Sequence, residues 1–262
     1  MQQISILGCG WLGLPLAQSL IDVGFAVNGS TTSPAKTELL KTTGIQPFLI
    51  ALHSDSIEGD IVSFLRGSEI VIIDIPPKLR GENRESFIDK IKTLIPYIEA
   101  SGIKKVMFAS STAVYADINT IVTEDTPAQP ETESGKQLLE AEKLLQANAN
   151  FKTTVLRFGG LVGEERQPVK YMAGKENLEN PDGPVNLIHQ KDCIGIMLKI
   201  IEKEIWGEIF NAVAPYHPSR EEHYTKEAAA LNLPLPKFSH DKPSIGKTVN
   251  SQKLIDVLGY IF

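Results

Sequence analysis

Three glycines near the start of the chain have the spacing of a phosphate-binding loop. Gly8, Gly10 and Gly13 follow a short apolar run, Ile4–Leu7, that is typical of a buried strand. In this G-x-G-x-x-G pattern the first glycine makes a tight turn, the second lets the backbone approach a pyrophosphate, and the third lets a helix pack closely on the strand. Free N–H groups at the start of that helix suit phosphate oxygens. The alternative is a glycine-rich turn without a ligand. We predict that a dinucleotide contacts Gly8, Gly10, Trp11, Leu12 and Gly13.

The segment after the second predicted strand bears on which dinucleotide is bound. Sites for NAD usually place Asp or Glu about 20 residues after the glycines, where it binds the ribose 2′-hydroxyl. Residues 28–33 contain no carboxylate, and the groups found in this region are Ser30, Thr31, Thr32 and Lys36. Because hydroxyls and a lysine can receive a 2′-phosphate, the sequence predicts NADP, with NAD as the alternative. Ser33 has a second interpretation, as the N-cap of a helix that begins at Pro34.

Hydroxyl groups cluster after the fifth predicted strand. Ser110, Ser111 and Thr112 follow the apolar run Lys105–Ala109, and Tyr115 comes three residues later. Ligands of parallel sheets bind beyond the carboxyl ends of the strands, so a substrate would lie here. Ser111 is therefore a candidate for holding a substrate oxygen. Its alternative role is to satisfy backbone groups at the end of the strand.

Short apolar runs alternate with helix-like segments through the first part of the chain. The predicted strands are Ile4–Leu7, Ala26–Asn28, Pro47–Ala51, Ile70–Ile75, Lys105–Ala109 and Thr153–Leu156. The predicted helices are Leu12–Val23, Pro34–Thr42, Gly59–Leu65, Glu85–Ala100 and Ser134–Ala147. This alternation predicts an α/β fold with a Rossmann-type, doubly wound parallel sheet. Ile75, the last residue of the fourth predicted strand, and Pro76 are predicted to contact the cofactor, and the tandem prolines Pro76 and Pro77 are expected to form a rigid wall there.

The alternation ends after Arg157. Residues 159–184 are rich in Gly, Pro and charge and are expected to be irregular. Helical spacing returns later, with one strand-like run, at Asp192–Lys203, Ile209–Val213, Glu221–Leu231 and Ser251–Leu258. We therefore predict a Rossmann core over residues 1–158 and a small C-terminal lobe over 159–262, with segments that return to the core. A pocket between lobe and sheet is expected to hold a small-molecule substrate.

The glycine loop and the stretch Phe108–Tyr115 together resemble the short-chain dehydrogenase/reductase superfamily, specifically its extended branch of sugar-nucleotide epimerases and dehydratases. Further matches cover nearly the whole chain: Leu156–Gly163, Asn186–His189, Asp192, Phe210–Asn211 and Leu258–Tyr260. Asn180–Asp182 and Ser134–Lys136 resemble an atypical subgroup more closely, the YeeZ-like proteins of the NAD-dependent epimerase/dehydratase family. The resemblance implies a nicotinamide dinucleotide cofactor and reversible hydride transfer between the cofactor and a bound alcohol or carbonyl.

The resemblance also implies roles for particular side chains. In active relatives a Ser or Thr orients the substrate oxygen, and a Tyr four residues before a Lys moves the proton. The Lys binds the nicotinamide ribose and lowers the pKa of the Tyr from its usual value of about 10. Ser111 matches the serine and Lys136 matches the lysine, but Thr132 stands at the tyrosine position. An aliphatic hydroxyl is poorly suited to act as a general acid near neutral pH, so the usual pair is broken.

Two hypotheses follow from the missing tyrosine. In the first, the protein is an oxidoreductase or a nucleotide-sugar epimerase/dehydratase in which Tyr115, Tyr171 or His189 moves the proton. In the second, it binds NADP(H) without redox chemistry and acts as a sensor or regulatory protein. Lys136 has its own alternative, as a surface lysine paired with Glu140 one turn later. We favour the enzyme and retain the sensor as the alternative.

Composition narrows the classes of partner. The 262 residues include 26 Lys and Arg against 32 Asp and Glu, a net charge of −6, which argues against binding to nucleic acid or to an anionic membrane. The two cysteines make no disulfide framework and no apolar run reaches about 20 residues, so we expect a cytoplasmic protein. His189 lacks partners at metal-ligand spacing, so we expect no metal.

Arg166, Lys170 and Lys175 could meet an anionic substrate such as a nucleotide sugar, or form a solvated loop. The helices 85–100 and 134–147 could pair two subunits as a homodimer.

Overall fold

A seven-stranded parallel sheet forms the centre of the computed structural model, which describes residues 2–77, 79 and 85–262. The strands of the chain are β1 (Gln3–Leu7), β2 (Ala26–Thr31), β3 (Gln46–Leu49), β4 (Ala51–Leu52), β5 (Ile57–Glu58), β6 (Ile70–Ile73), β7 (Lys105–Ser111), β8 (Ile121–Val122), β9 (Lys152–Phe158), β10 (Gly160–Val162), β11 (Leu187–His189), β12 (Ile209–Ala212) and β13 (Thr248–Val249). The order in the large sheet is β12-β9-β7-β6-β1-β2-β3. The short strands form three separate pairs, β4 with β5, β8 with β13, and β10 with β11.

This order has a reversal point beside the first strand. The chain runs outward from β1 through β2 to β3 and then crosses back to place β6 on the other side of β1. Leu7 at the end of β1 is paired with Ile73 at the end of β6. In open α/β sheets, the crevice outside such neighbouring carboxyl ends is where ligands bind. The glycine loop therefore begins at the reversal point, next to the residues that follow β6.

Helices cover both faces of the sheet. They are α1 (Gly13–Asp22), α2 (Thr37–Thr42), α3 (Ile61–Leu65), α4 (Phe87–Ser101), α5 (Glu133–Gln146), α6 (Val169–Met172), α7 (Gln190–Glu202), α8 (Arg220–Ala230) and α9 (Gln252–Leu258). One buried core joins the sheet to α1, α7 and α9, and it includes Leu16, Ile196 and Leu254. A second core lies under α3, α4 and α5, and it includes Phe64, Ile91 and Leu138. The predicted doubly wound α/β fold is confirmed.

The C-terminal part of the chain contributes both to the sheet and to a smaller cluster. Edge strand β12 pairs with β9, and α7 and α9 pack in the first core. A third, small cluster contains Val169 of α6 and Tyr224 and Ala228 of α8. The division into a core over 1–158 and a lobe over 159–262 stays a prediction. None of the helices in the described residues is long and apolar enough to cross a membrane.

Two of the differences from the sequence-based expectation concern the C-terminal part of the chain. The stretch 159–184, expected to be irregular, contains β10 and α6. Helix α7 begins at Gln190 and not at Asp192, because the His189 ring accepts the Lys191 N–H at 3.2 Å and so caps the helix two residues earlier. Hydrophobic spacing reveals neither a cap of this kind nor the pairing of β10 with β11.

Candidate functional site

The glycine loop is closed at two of its glycines and open at the third. Gly8 has a φ of +109°, and a side chain there would clash with the carbonyl oxygen of Asp74. A side chain on Gly13 would clash with the carbonyl oxygen of Gly8. Gly10, in contrast, has no heavy atom of a described, non-adjacent residue within 4 Å of the place that a Cβ would take. The loop therefore packs tightly against the sheet at Gly8 and Gly13. At Gly10 it leaves open space, where a phosphate group could approach the protein backbone.

Backbone hydrogen bonds hold the loop and leave donors at the start of α1. The Gly8 N–H donates to Ser30 Oγ at 2.9 Å, and the Cys9 N–H donates to the Ser30 carbonyl at 2.8 Å. Because α1 begins at Gly13, the N–H groups of Trp11 and Leu12 precede its first turn and have no intrahelical acceptor. Such donors, at the positive end of a helix dipole, are suited to a phosphate.

Residues from the second half of the chain hold the other side of the loop. Gln190 Nε2 donates to the Trp11 carbonyl at 2.6 Å, across 179 positions of sequence. The Arg166 guanidinium lies 5.3 Å from the centre of the Trp11 ring, and Gly163 is so close to this ring that a Cβ would approach it to 3.0 Å. This clamp on Trp11 was not predicted from the sequence, because it joins residues whose spacing carries no local signal.

The four residues predicted to receive a 2′-phosphate divide into two groups. Ser30 is buried and its hydroxyl already accepts from Gly8, while Thr31 Oγ1 accepts the Ser33 N–H at 3.1 Å. Thr32 and Lys36 are exposed. Lys36 lines a cavity of about 540 Å³ whose wall also includes Gly10, Trp11 and Lys191. Ser33 does not cap through its side chain. Thr32 and Lys36 are thus the accessible members of the predicted set.

Asp74, which sequence reasoning missed, lies directly under the loop. It is the first residue after β6, and its Oδ2 is 3.2 Å from the place that a Cβ on Gly13 would take. The residue as a whole is partly exposed, but its carboxyl group points inward and lies against the backbone of Gly13. Burial of this carboxyl raises its pKa to about 7. A carboxylate immediately after a strand that neighbours the glycine loop is the sequence signal that could have found it.

The predicted wall of the site follows Asp74. The Ile75 side chain packs on Gly8, with its Cγ2 at 3.1 Å from the place that a Cβ would take. Pro76 is exposed at the same edge of the sheet. Both residues lie beside the loop, and their contact with a cofactor stays a prediction.

Tyr115 is part of a buried polar network. Its hydroxyl donates to Asn211 Oδ1 at 2.9 Å and accepts from Arg157 Nη1 at 2.6 Å. Arg157 in turn pairs with Glu142, with Nη2 and Oε2 at 2.6 Å, and Ser110 donates to the same carboxylate. Tyr115 is only 2% exposed, and its burial raises the pKa of the phenol. The Tyr115 hydroxyl thus has a protein partner on both sides, which argues against its use as a proton donor, and its role in moving a substrate proton stays a prediction.

The first turn of α5 brings Thr132 and Lys136 to the end of β7. A side chain on Gly135 would clash with the Ala113 carbonyl, so α5 abuts the turn that follows Ser111. Thr132 is the N-cap of α5, and its Oγ1 accepts the Gly135 N–H at 3.1 Å. Ser111 Oγ is partly exposed and accepts the Ala113 N–H at 3.2 Å. Lys136 is exposed. The residue at the usual tyrosine position thus has a structural role that accounts for its type.

The other two candidates for proton transfer lie outside this turn. Tyr171 is 77% exposed on α6, and His189 Nδ1 accepts the Lys191 N–H as the cap of α7. In the part of the chain that the structure describes, no three His, Cys, Asp or Glu side chains are grouped to hold a metal ion.

Replacing Thr132 by alanine is expected to lower the free energy of unfolding by about 1 kcal/mol, because the Gly135 N–H loses its acceptor. Thr132→Ser keeps the acceptor and should stay close to the wild type. Urea denaturation of the two variants measures the difference. Equal stability of the alanine and serine variants would contradict a capping role.

The sheet order and the loop define a class of protein. A parallel sheet that reverses beside its first strand, with a glycine loop and a helix N-terminus at the reversal point, is the Rossmann dinucleotide-binding fold. The model of the NAD-dependent epimerase/dehydratase family matches residues 88–212. Protein YeeZ of Escherichia coli strain K12 is 33% identical over 262 residues, which cover 99% of this chain and 95% of YeeZ. The chain belongs to the NAD-dependent epimerase/dehydratase family, as its sequence motifs predict.

Solved structures show the same fold at lower identity. A conserved protein of unknown function from Silicibacter pomeroyi is 22% identical with a TM-score of 0.82, over 100% of this chain and 94% of that one. MoeE5, solved in complex with UDP-glucuronic acid and NAD, is 18% identical with a TM-score of 0.80, over 99% of this chain and 93% of that one. At these identities the likeness concerns the fold.

Proposed function

We propose that the chain binds a nicotinamide dinucleotide at the glycine loop, NADP(H) in preference to NAD(H), and acts as an oxidoreductase or nucleotide-sugar epimerase/dehydratase. The observation that carries the proposal is the shape of the loop. Gly8 and Gly13 are locked against the sheet, while Gly10 is open and is followed by two N–H groups at the start of α1. Family membership and the NAD held by MoeE5 support the same cofactor class.

The residues present fit such a cofactor. Gly10, Trp11 and Leu12 would hold its diphosphate, and Ile75 and Pro76 would line its path along the sheet edge. Thr32 and Lys36, the exposed members of their set, would receive a 2′-phosphate. Lys191, across the same cavity, adds a second positive charge, which partly offsets the nearby Glu164 and Glu165.

A bound nicotinamide dinucleotide supplies or accepts hydride, and the chain must then orient the substrate and manage a proton. Ser111, at the end of β7, would hold the reacting oxygen of the substrate, and Lys136 would hold the ribose. A substrate such as a nucleotide sugar suits Arg166, which lies over the Trp11 ring, and the exposed side chains of Lys170 and Lys175. UDP-glucuronic acid bound to MoeE5 supports this substrate class.

One observation favours a second function. Thr132 caps a helix where active relatives have a tyrosine, and Tyr115 is enclosed in its network. A protein that binds NADP(H) and signals its redox state to a partner needs no proton donor at either position. The sensor is therefore retained as the alternative.

A matched pair of glycine variants tests cofactor binding. Gly10→Ala should leave the thermal midpoint within about 2 °C of the wild type, because a methyl group there meets open space. It should weaken NADPH and NADH by at least tenfold in calorimetric titrations, since the methyl group occupies the approach to the loop. Gly13→Ala should lose both stability and binding because of its clash with Gly8. Wild-type binding is expected to be tighter for NADPH. Unchanged affinity in Gly10→Ala would refute binding at this loop.

Absorbance at 340 nm separates the enzyme from the sensor. UDP-glucose or UDP-glucuronic acid added to the protein with NADP⁺ or NAD⁺ should produce reduced cofactor, or a changed sugar by chromatography. Ser111→Ala should slow this by about 100-fold, while Ser56→Ala, an exposed hydroxyl in the β4–β5 turn, should not. Tight cofactor binding with no turnover of nucleotide sugars or simple carbonyl compounds would favour the sensor.

A further inference from the structure

A carboxylate of the protein lies beside the donors that the loop offers to a phosphate. Because Leu7 and Ile73 are register partners, Asp74 stands next to Gly8. Its carboxyl group lies against Gly13, with Oδ2 3.2 Å from the place that a Cβ would take, and the Gly13 N–H is one of the free donors at the start of α1. The N-terminus of α1 is therefore already in contact with one anionic group before any ligand arrives.

A diphosphate bound at Trp11 and Leu12 would bring a second anion to the same helix end. Like charges a few ångströms apart repel strongly where water is excluded, and a carboxyl group relieves the repulsion by taking up a proton. We propose that Asp74 takes up one proton from solvent when the chain binds a dinucleotide, so that a neutral carboxylic acid lies beside the diphosphate. The inference rests on the proposed dinucleotide site. It makes the affinity for the cofactor depend on pH.

The surroundings of Asp74 lower the free energy needed for this proton uptake. Burial already raises the pKa of its carboxyl group to about 7, so about half of the carboxyl groups are protonated at pH 7 before a ligand binds. Two titratable groups are close enough for the charge of Asp74 to raise their pKa values, the Cys9 thiol in the glycine loop and the Cys193 thiol on α7, and Gly13 of α1 contributes only backbone. Burial raises the pKa of both thiols, that of Cys9 to about 12, so both stay neutral between pH 6 and 9. Among the described residues, no cationic side chain acts on Asp74 strongly enough to lower its pKa.

Calorimetry can count the proton. NADH and NADPH are titrated into the protein at pH 8 in two buffers of different ionisation enthalpy, and the difference in heat gives the protons bound per dinucleotide. NADH is included because the 2′-phosphate of NADPH titrates by itself near pH 6. We expect uptake of about 0.9 proton at pH 8, and a Kd that rises by up to about tenfold per pH unit between pH 7.5 and 9.5.

Two variants assign the proton. Asp74→Asn should bind NADH with no proton uptake and with a Kd that is flat over this range, and Cys193→Ala should behave as the wild type. Binding by the wild type without proton uptake would overturn the inference alone. Uptake that persists in Asp74→Asn would overturn the assignment to Asp74. If the wild type bound neither dinucleotide at millimolar concentration, the proposed function would fail, and the inference with it.

Discussion

Arg157→Met is expected to lower the free energy of unfolding by about 3–5 kcal/mol, the largest effect of any substitution considered. The side chain of Glu142 is only 1% exposed, and its partner Arg157 only 5%. Without the guanidinium, the carboxylate keeps a hydrogen bond from Ser110 but loses its counter-charge, and the Tyr115 hydroxyl loses a donor. An uncompensated buried charge is far more costly than a missing surface pair. Urea denaturation, followed by circular dichroism, measures the change.

Two controls show whether the loss of stability comes from the burial of the ion pair or from the loss of any ion pair. Lys199→Met breaks the exposed pair between Lys199 and Glu202 on α7 and should cost less than about 0.5 kcal/mol. The double variant Glu142→Leu with Arg157→Met removes both charges and should be more stable than Arg157→Met alone. If Arg157→Met were no more harmful than Lys199→Met, the network around Tyr115 would contribute little to the fold.

Asp74→Asn is expected to stabilise the ligand-free protein above neutral pH, on the order of 3 kcal/mol at pH 8. The pKa of Asp74 is about 7 in the folded protein, against 3.8 for an ordinary aspartate, so the folded chain binds more protons between these values. Stability therefore falls as pH rises from about 4 to about 7 and stays low above that. A shift of about three units corresponds to about 4 kcal/mol at most, and the partial exposure of the residue reduces it.

Thermal midpoints at pH 4 and pH 8 test this sign. The advantage of Asp74→Asn should be present at pH 8 and nearly absent at pH 4, where the wild-type carboxyl is protonated in the folded protein. Asp60→Asn is the opposite case, because the Ser63 N–H lowers the pKa of that exposed capping carboxylate. Asp60→Asn should gain nothing at pH 8. If the wild type were as stable as Asp74→Asn at pH 8, the ionised carboxyl group of Asp74 would not destabilise the folded protein.

Local spacing in the sequence predicts the glycine loop and the strands of the sheet well. Gly8, Gly10 and Gly13 lie within six residues, and short, mostly apolar runs mark the strands β1, β6 and β7. The strand boundaries shift by up to three residues, as at β2, where the prediction ended at Asn28 and the strand ends at Thr31. The polar sequence Gly29–Thr31 continues the strand because β3 pairs with it, and pairing partners are not visible in a local pattern.

The environment of each candidate side chain is less predictable. The hydroxyl of Tyr115 finds its acceptor on Asn211, 96 positions away, and Ser30 turns to Gly8, 22 positions back. No hydrophobic or turn pattern encodes these contacts. The sequence reveals that Thr132 replaces a tyrosine, but only the position of α5 shows that its hydroxyl is used by the helix. The sequence thus places the candidate residues at the edge of the sheet. Only the structure shows which of their side chains are already hydrogen-bonded to other protein groups.

The clamp on Trp11 affects the stage of protein synthesis at which the glycine loop can bind a dinucleotide. Gln190, which bonds the backbone of the glycine loop at Trp11, is synthesised 179 residues after Trp11. A nascent or truncated chain that ends before Gln190 carries every glycine of the loop without this support. Tight binding of the cofactor would then require that synthesis has passed Gln190, and a shorter ribosome-bound intermediate would bind the dinucleotide weakly.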